Sequence, residues 1–156
     1  MYIPDIPDNS LKKEFIEIME ITKKLESIKK YEFNPPATNV EIDALEEHLK
    51  YTLPEEYKDF LKFSNGMTLN GFTAEFFSTK EVIDFYDREK ADSFPSDYIV
   101  LAFLIGDGEV LCISSKTGKF IRYYGGEETE FNTFKDALVN IIDHIKVIEE
   151  DYLLED

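Results

Sequence analysis

The sequence predicts an α+β fold: a single domain with an antiparallel sheet, N-terminal helices, a short mid-chain helix and a C-terminal helix packed on the sheet. Two patterns support this prediction. Near both ends of the chain, apolar residues recur at intervals of three and four, as on one face of a helix. Between residues 98 and 124, short apolar runs are separated by turns that contain glycine, which is typical of antiparallel strands. A chain of 156 residues suits one domain, residues 1–156.

The first helix is predicted to run from residue 11 to about Lys30. Its apolar face is formed by residues spaced by four, three, four and three positions: Leu11, Phe15, Ile18, Thr22 and Leu25. The preceding residues 1–9 contain two prolines, and we expect them to form an extended arm.

The second helix is predicted to begin at about Asn39. Thr38 stands three residues before Glu41, which is the spacing of a capping box, where each side chain accepts a hydrogen bond from the backbone of the other residue. The residues expected to face the core follow at helical spacing: Val40, Ile42, Leu45 and Leu49.

The third helix is predicted to have Pro54 at its first position, where a missing N–H group costs nothing. The residues that should turn inward are Tyr57, Phe60, Leu61 and Phe63. Asn65 or Gly66 should end this helix, because either residue can adopt the left-handed conformation that closes a helix.

Between residues 68 and 77, the sequence predicts one or two short strands with a turn at Asn70 and Gly71. Ser78 and Glu81 then repeat the capping-box spacing and predict the start of a short helix. That helix should extend through Tyr86.

After a loop at residues 92–97, the chain is predicted to form a three-stranded meander. The expected strands are residues 98–105, 109–114 and 119–124, with turns at residues 106–108 and 117–118. The first strand is continuously apolar, so we expect it at the centre of the sheet.

The chain should end in an acidic loop, a helix and a frayed tail. The loop is predicted at residues 125–132 and the frayed acidic tail at residues 149–156. The apolar stripe of the helix is expected to pack on the sheet and consists of Phe134, Leu138, Ile141, Ile142, Ile145 and Ile148.

The order of motifs in residues 33–66 resembles the opening half of the SUKH superfamily. The motifs are PPAT, E-I-x-x-L-E, L-P-x-x-Y-K-x-F-L and S-N-G, formed by Pro36, Ala37, Thr38, Glu41, Ile42, Leu45, Glu46, Leu53, Pro54, Tyr57, Phe60, Leu61, Asn65 and Gly66. Residues 105–109 and 133–142 resemble the later hairpin and closing helix of that superfamily, so the resemblance spans roughly residues 33–145. The superfamily includes the fungal cell-wall-assembly regulator and many bacterial immunity proteins that neutralise toxins. The resemblance therefore implies a SUKH-like domain that binds another protein.

The charge of the chain limits its partners. With 33 acidic and 17 basic residues, the net charge is −16. Nucleic acid and anionic membrane are not expected as partners, because phosphate groups are bound by clustered lysine and arginine. Most of the excess lies in three segments, residues 41–60, 81–97 and 143–156, with net charges of −5, −4 and −5. If these segments lie side by side they form a negative surface; if they are scattered, their charge is ordinary solvation.

The sequence predicts no catalytic residue, no cofactor and no metal site. His48 and His144 are the only histidines, and neither has a second ligand at a metal-binding spacing. The single cysteine, Cys112, lies in an apolar run and is expected to be a small buried side chain. No serine stands in a G-x-S-x-G elbow.

With the acidic composition, the resemblance to the SUKH superfamily implies a non-enzymatic protein-binding domain, an immunity protein that occludes a basic toxin domain such as a nuclease through its acidic surface. The alternative is a regulatory interaction scaffold, related to cell-wall-assembly regulators, without a toxin partner. The residues predicted to contact the partner are Glu46, Glu47, Glu55, Glu56, Asp59, Tyr123, Tyr124, Glu127, Glu128 and Glu130. The start of the chain lacks the basic and apolar regions of a signal peptide, so we expect the protein in the cytoplasm.

Overall fold

The computed structural model describes residues 2–25, 30–105 and 108–155, which form an α+β domain. Its helices are α1 (Lys12–Leu25), α2 (Asn39–Leu49), α3 (Glu55–Leu61), α4 (Thr79–Ser93) and α5 (Phe134–Glu155). Its strands are β1 (Glu32–Phe33), β2 (Met67–Leu69), β3 (Ala74–Phe76), β4 (Tyr98–Leu104), β5 (Glu109–Ser114), β6 (Phe120–Tyr124) and β7 (Glu127–Phe131). The predicted fold class is thus confirmed.

The seven strands form one antiparallel sheet in the order in which they occur in the chain, from β1 to β7. Strand β4 therefore lies at the centre, as its apolar sequence predicts. Cross-strand partners share a face of a sheet, so the register assigns each side chain to one of two faces. On one face, Phe120 contacts Phe134 of α5, with ring centroids 5.3 Å apart, and we call this the α5 face. On the opposite α4 face, Phe103 contacts Phe85 of α4 at 5.7 Å.

The main core lies on the α5 face and is rich in aromatic rings. Phe15 of α1 stacks on Phe63 at 4.1 Å, and Phe60 of α3 lies 4.9 Å from Phe134. All four rings are completely buried. Because these rings come from α1, α3, α5 and the segment after α3, their packing holds three helices against one face of the sheet.

The structure corrects three details of the predicted helices. Val40 is 78% exposed, so the buried face of α2 is formed by the other three residues of its predicted stripe. Pro54 is the residue before α3, which begins at Glu55. Lys30 is not helical, so α1 ends earlier than predicted, and residues 26–29 lie outside the described part of the chain. The two predicted capping boxes, at Thr38 and Ser78, are both present.

The helix α4 is longer than predicted and includes Asp92 and Ser93, which were expected in a loop. The apolar pattern stops at Tyr86, but the following residues include Arg88, Glu89, Lys90 and Ala91, which favour a helix by their intrinsic propensity. Helix α5 is also longer than predicted, because its backbone continues to Glu155 through the segment that we expected to fray.

The predicted acidic loop at residues 125–132 is wrong, because Glu127–Phe131 is the edge strand β7. The sequence does not indicate this strand because it contains three glutamates, and glutamate is disfavoured in strands. The signal that predicts it is the Gly-Gly pair before it. Gly125 and Gly126 have φ angles of 56° and 91°, and they join Tyr124 to its cross-strand partner Glu127 in a two-residue hairpin turn. The two-residue strand β1 was missed because it is too short for a pattern.

The S-N-G motif, Ser64 to Gly66, joins the helices to the sheet. The Ser64 hydroxyl accepts a hydrogen bond from the Asn34 backbone N–H at 2.9 Å and donates to the Gly66 carbonyl at 2.6 Å. The Asn65 side-chain oxygen accepts a hydrogen bond from the Thr79 backbone N–H at 2.8 Å, at the start of α4. We call these three residues the junction. They do not close α3 directly, since that helix ends at Leu61.

The junction requires glycine at its third position. Gly66 has a φ angle of +85°, which L side chains rarely adopt. A Cβ atom on Gly66 would also lie 2.7 Å from the backbone nitrogen of Ser78, the residue that caps α4. The close approach of these two backbone segments therefore depends on the absence of a side chain.

We expect Gly66→Ala to lower the free energy of unfolding by about 2 to 5 kcal/mol, because strain at positive φ and a clash with backbone both contribute. Gly71→Ala is the matched control. Gly71 also has a positive φ, of +62°, but a Cβ atom there would meet nothing within 4 Å. The control should lose only about 1 to 2 kcal/mol. Urea denaturation measures both values, and equal losses would show that the close approach at Gly66 is unimportant.

Candidate protein-binding surfaces

The structure divides the acidic residues predicted to bind a partner into two groups. Glu46, Glu56 and Asp59 are used inside the fold. Glu46 is partly buried and accepts a hydrogen bond from the Leu53 backbone N–H at 2.7 Å, and its carboxylate lies 3.5 Å from the Lys58 ammonium. It therefore fixes the loop between α2 and α3.

Glu56 and Asp59 connect α3 to other elements. Glu56 Oε1 accepts a hydrogen bond from the Lys135 backbone N–H at 3.0 Å, so Glu56 caps the first turn of α5. Asp59 Oδ2 accepts a hydrogen bond from the Ser10 hydroxyl at 2.7 Å, just before α1. Both carboxylates are thus part of the packing of α3 against its neighbours.

Glu47 and Glu55 are exposed. Glu55 forms an ion pair of 2.9 Å with Lys58, and the hydrogen bond from Lys58 lowers the pKa of Glu55. Glu47 lies on α2, which packs against α4. At this contact the His48 ring nitrogen Nε2 lies 2.7 Å from the carboxylate of Asp87. Two of the three acidic segments therefore adjoin at the α2–α4 contact.

The third acidic segment lies on α5 as far as Glu155, and α5 packs on the face of the sheet opposite to α4. The single lysine of this segment, Lys146, forms an ion pair of 3.0 Å with Glu17 of α1. The acidity of the chain is therefore spread over more than one face, and any binding surface must be smaller than the sum of the three segments.

The remaining predicted residues lie on β6 and β7. Tyr124 is 49% exposed, and three glutamates of the edge strand β7 are exposed. We call these four residues, Tyr124, Glu127, Glu128 and Glu130, the acidic edge. Glu128 and Glu130 lie on the α4 face, whereas Glu127 shares the α5 face with its partner Tyr124. The acidic edge therefore presents carboxylates on both faces of the last strand.

Two contacts position the carboxylates on the α4 face. Glu128 accepts a hydrogen bond from the Tyr98 hydroxyl at 2.6 Å, and burial, with this hydrogen bond second, raises the pKa of Tyr98. Glu130 lies 3.4 Å from the Lys119 ammonium in an exposed pair. Tyr123 is half-buried, with its ring packed edge-on against Phe94 at 5.7 Å, so it packs on the α4 face next to the acidic edge. Tyr124 is the more accessible of the two predicted tyrosine anchors.

An open groove on the α4 face of β1 to β3 has a volume of about 260 Å³. Several of its polar groups are already used within the fold. Glu81 accepts the Ser78 backbone N–H in the capping box, Asn34 donates to the Asn65 carbonyl, and Glu32 pairs with Lys30. The groove therefore does not present a set of polar groups converging on one point.

The groups that could perform chemistry are separated in the fold. Burial raises the pKa of the Cys112 thiol to about 12, so the thiolate that reacts as a nucleophile is absent at neutral pH. His48 is engaged with Asp87 on the surface, and His144 lies on α5. In the described ranges, no three histidine, cysteine or acidic side chains come together in a way that could hold a metal ion.

Comparison with known proteins adds two findings. The model of the SMI1 / KNR4 family (SUKH-1) matches residues 36–140. An uncharacterized protein, YnaB of Bacillus subtilis (strain 168), is 29% identical over 94 residues, which are 60% of this chain and 61% of YnaB. The match thus spans about three fifths of the length of that relative. Across the residues that the structure describes, no helix is both long and apolar enough to cross a membrane.

Neighbouring glutamates test the division between internal and exposed carboxylates. Glu46→Ala should lower the free energy of unfolding by about 1 to 3 kcal/mol, because it leaves the Leu53 N–H without its acceptor and removes one of the two carboxylates beside Lys58. Glu56→Ala should cost about 0.5 to 2 kcal/mol, because the Lys135 N–H in the first turn of α5 loses its acceptor. The matched controls, Glu47→Ala and Glu55→Ala, should each lower the free energy of unfolding less than the change at the neighbouring glutamate. Chemical denaturation measures all four, and equal costs within each pair would contradict this division.

Proposed function

Because the chain belongs to the SMI1/KNR4 family (SUKH-1), we propose that it is a non-enzymatic protein-binding domain that acts as an immunity protein. Its partner is a basic toxin domain, such as a nuclease, which it inhibits by covering the surface that binds substrate. Family membership confirms the resemblance found in residues 33–66. Family membership supports protein binding as the general function. The proposal that the partner is a basic toxin domain rests on the structure of the acidic edge.

The observation that best supports the proposal is that the acidic edge is exposed at the end of the sheet. Glu127, Glu128 and Glu130 project from one short strand, and the main chain of that strand pairs on one side only. By contrast, three of the five predicted acids of α2 and α3 are used inside the fold. Of the eight predicted carboxylates, five are exposed, and three of these five lie on the acidic edge, where Glu128 accepts a hydrogen bond from Tyr98 and Glu130 pairs with Lys119.

Electrostatics explains why such a surface suits a nuclease. An enzyme that binds nucleic acid presents clustered lysine and arginine to the phosphates. A protein with a net charge of −16 is attracted to that cluster at a distance, and carboxylates can replace the phosphates on contact. The tyrosine beside them, Tyr124, would add apolar contact area at a low entropic cost.

The non-enzymatic part of the proposal is supported by the separation of the reactive groups. The thiol of Cys112 is buried, and the two histidines lie on different helices without a shared acid or nucleophile in the contacts described above. General acid–base catalysis needs such groups within hydrogen-bonding distance of one another or of a substrate.

The first test is to identify the partner by cross-linking and affinity purification from the native cell, and then to reconstitute the complex from purified proteins. We expect a partner with a basic surface whose enzymatic activity is lost when one equivalent of the chain is added. A partner that keeps full activity in the complex would favour the regulatory scaffold over the immunity protein.

Association kinetics test the acidic edge. The double variant Glu127→Lys/Glu130→Lys should slow association at least about tenfold at low salt, because repulsion replaces electrostatic steering. For the wild type, association should slow steeply between about 50 and 500 mM NaCl as the charges are screened.

The control variant has the same change of charge at exposed residues of the arm and α1: Asp5→Lys/Glu20→Lys. A third variant, Asp43→Lys/Glu47→Lys, tests the acidic surface of α2. If the edge variant and the control slow association equally, or if the rate does not depend on salt, the acidic edge is not the binding surface.

A further inference from the structure

The outer side of β7 is an open sheet edge. This strand pairs with β6 through the register Phe120 to Phe131 and Tyr124 to Glu127, and it is the last strand of the sheet. Four of its five residues are exposed and the fifth, Phe131, is partly exposed. Alternate backbone N–H and C=O groups of an edge strand point away from the sheet, where they can form a ladder with a further strand.

A groove beside this edge would receive part of an added strand. It lies between β7 and the first half of α5, has a volume of about 490 Å³, and includes Phe131 and Val139. Val139 is 38% exposed, so the groove has an apolar contact point on the α5 face. Asp136 and Asp143 also line it, against one lysine, Lys135, so its polar part is mainly acidic.

In the register centred on Thr129, a second copy of this chain is a poor occupant of the edge. If two β7 strands paired antiparallel about Thr129, Glu128 of each copy would lie opposite Glu130 of the other, and Glu127 opposite Phe131. Like charges directly opposite each other on one face destabilise a strand pair. The charge pattern thus disfavours self-pairing in this register.

We propose that β7 binds its partner by strand addition, and that the added strand is an extended segment with lysine or arginine at every second position. This inference rests on the proposed function, because it specifies how the acidic edge recognises a basic partner. Residues two apart in a strand lie on one face, so alternate basic side chains would meet Glu128 and Glu130 on the α4 face. The residues between them would face the groove at Phe131 and Val139, which favours small apolar side chains there.

A competing explanation is that the same charges protect the edge strand from aggregation. Charged residues on edge strands keep proteins from aggregating through their sheets. Under that explanation the edge binds no strand at all, basic or otherwise. The two explanations therefore differ in what happens when a suitable strand is offered.

The test uses a synthetic seven-residue peptide with lysine at alternate positions and valine or threonine between them, titrated into the ¹⁵N-labelled full chain. Strand addition predicts saturable shifts of the amide resonances of residues 127–131 and of the first half of α5. A peptide methylated on the backbone nitrogens of one edge has the same charge but cannot complete the ladder, and it should bind at least about tenfold more weakly. A peptide with glutamate in place of lysine should not bind.

The outcomes separate this inference from the proposed function. Equal binding of the lysine peptide and its N-methylated form, or shifts that avoid β7, would overturn strand addition. If the native partner still associates in a salt-dependent way while the peptide neither binds nor competes, strand addition is wrong and the proposed function stands. If the peptide adds to β7 but the native partner is acidic, the proposed function fails and the edge remains a strand-binding site.

Discussion

The hydrogen bonds of the junction are the constraint on which the rest of the structure depends. Ser64, Asn65 and Gly66 connect the segment after β1, the end of the α3 region and the start of α4 within a few ångströms. Before the junction, α1 and α3 pack on the α5 face of the sheet, whereas α2 packs against α4 on the other side, so these bonds fix the two layers relative to the strands between them. The aromatic core then fills the α5 side. At the far end of the sheet, the outer edge of β7 pairs with no further strand among the residues that the structure describes.

A chain with a net charge of −16 can fold because many of its carboxylates accept hydrogen bonds within the fold. Glu41 and Glu81 complete capping boxes, Glu46 fixes a loop, and Glu56 caps α5 from a distant helix. Each accepts a backbone N–H that would otherwise lack a partner, which offsets part of the repulsion between like charges. The carboxylates of the acidic edge have weaker internal roles, and their exposure at an open strand is what makes them candidates for recognition.

The sequence predicts much of this fold because local signals are strong where the structure is regular. The capping boxes at Thr38 and Ser78, the apolar strand β4 and the aromatic positions of α3 are all found as predicted. The failures have tertiary causes. Glu46, Glu56 and Asp59 look like surface acids in the sequence, and only the positions of Leu53, Lys135 and Ser10 show that they are internal. The strand β7 was hidden by its glutamates, and it forms because the Gly-Gly turn folds it back on β6.

We propose that this domain contacts its partner through the acidic edge. Amide hydrogen exchange of the chain, free and bound to the partner purified from its native cell, distinguishes this contact from the alternatives. We expect slower exchange at residues 127–131 in the complex, because the outward amides of β7 become hydrogen-bonded, with the outer surface of α1 unchanged. Slower exchange confined to α2 and α4, with β7 exchanging as fast as in the free chain, would contradict it.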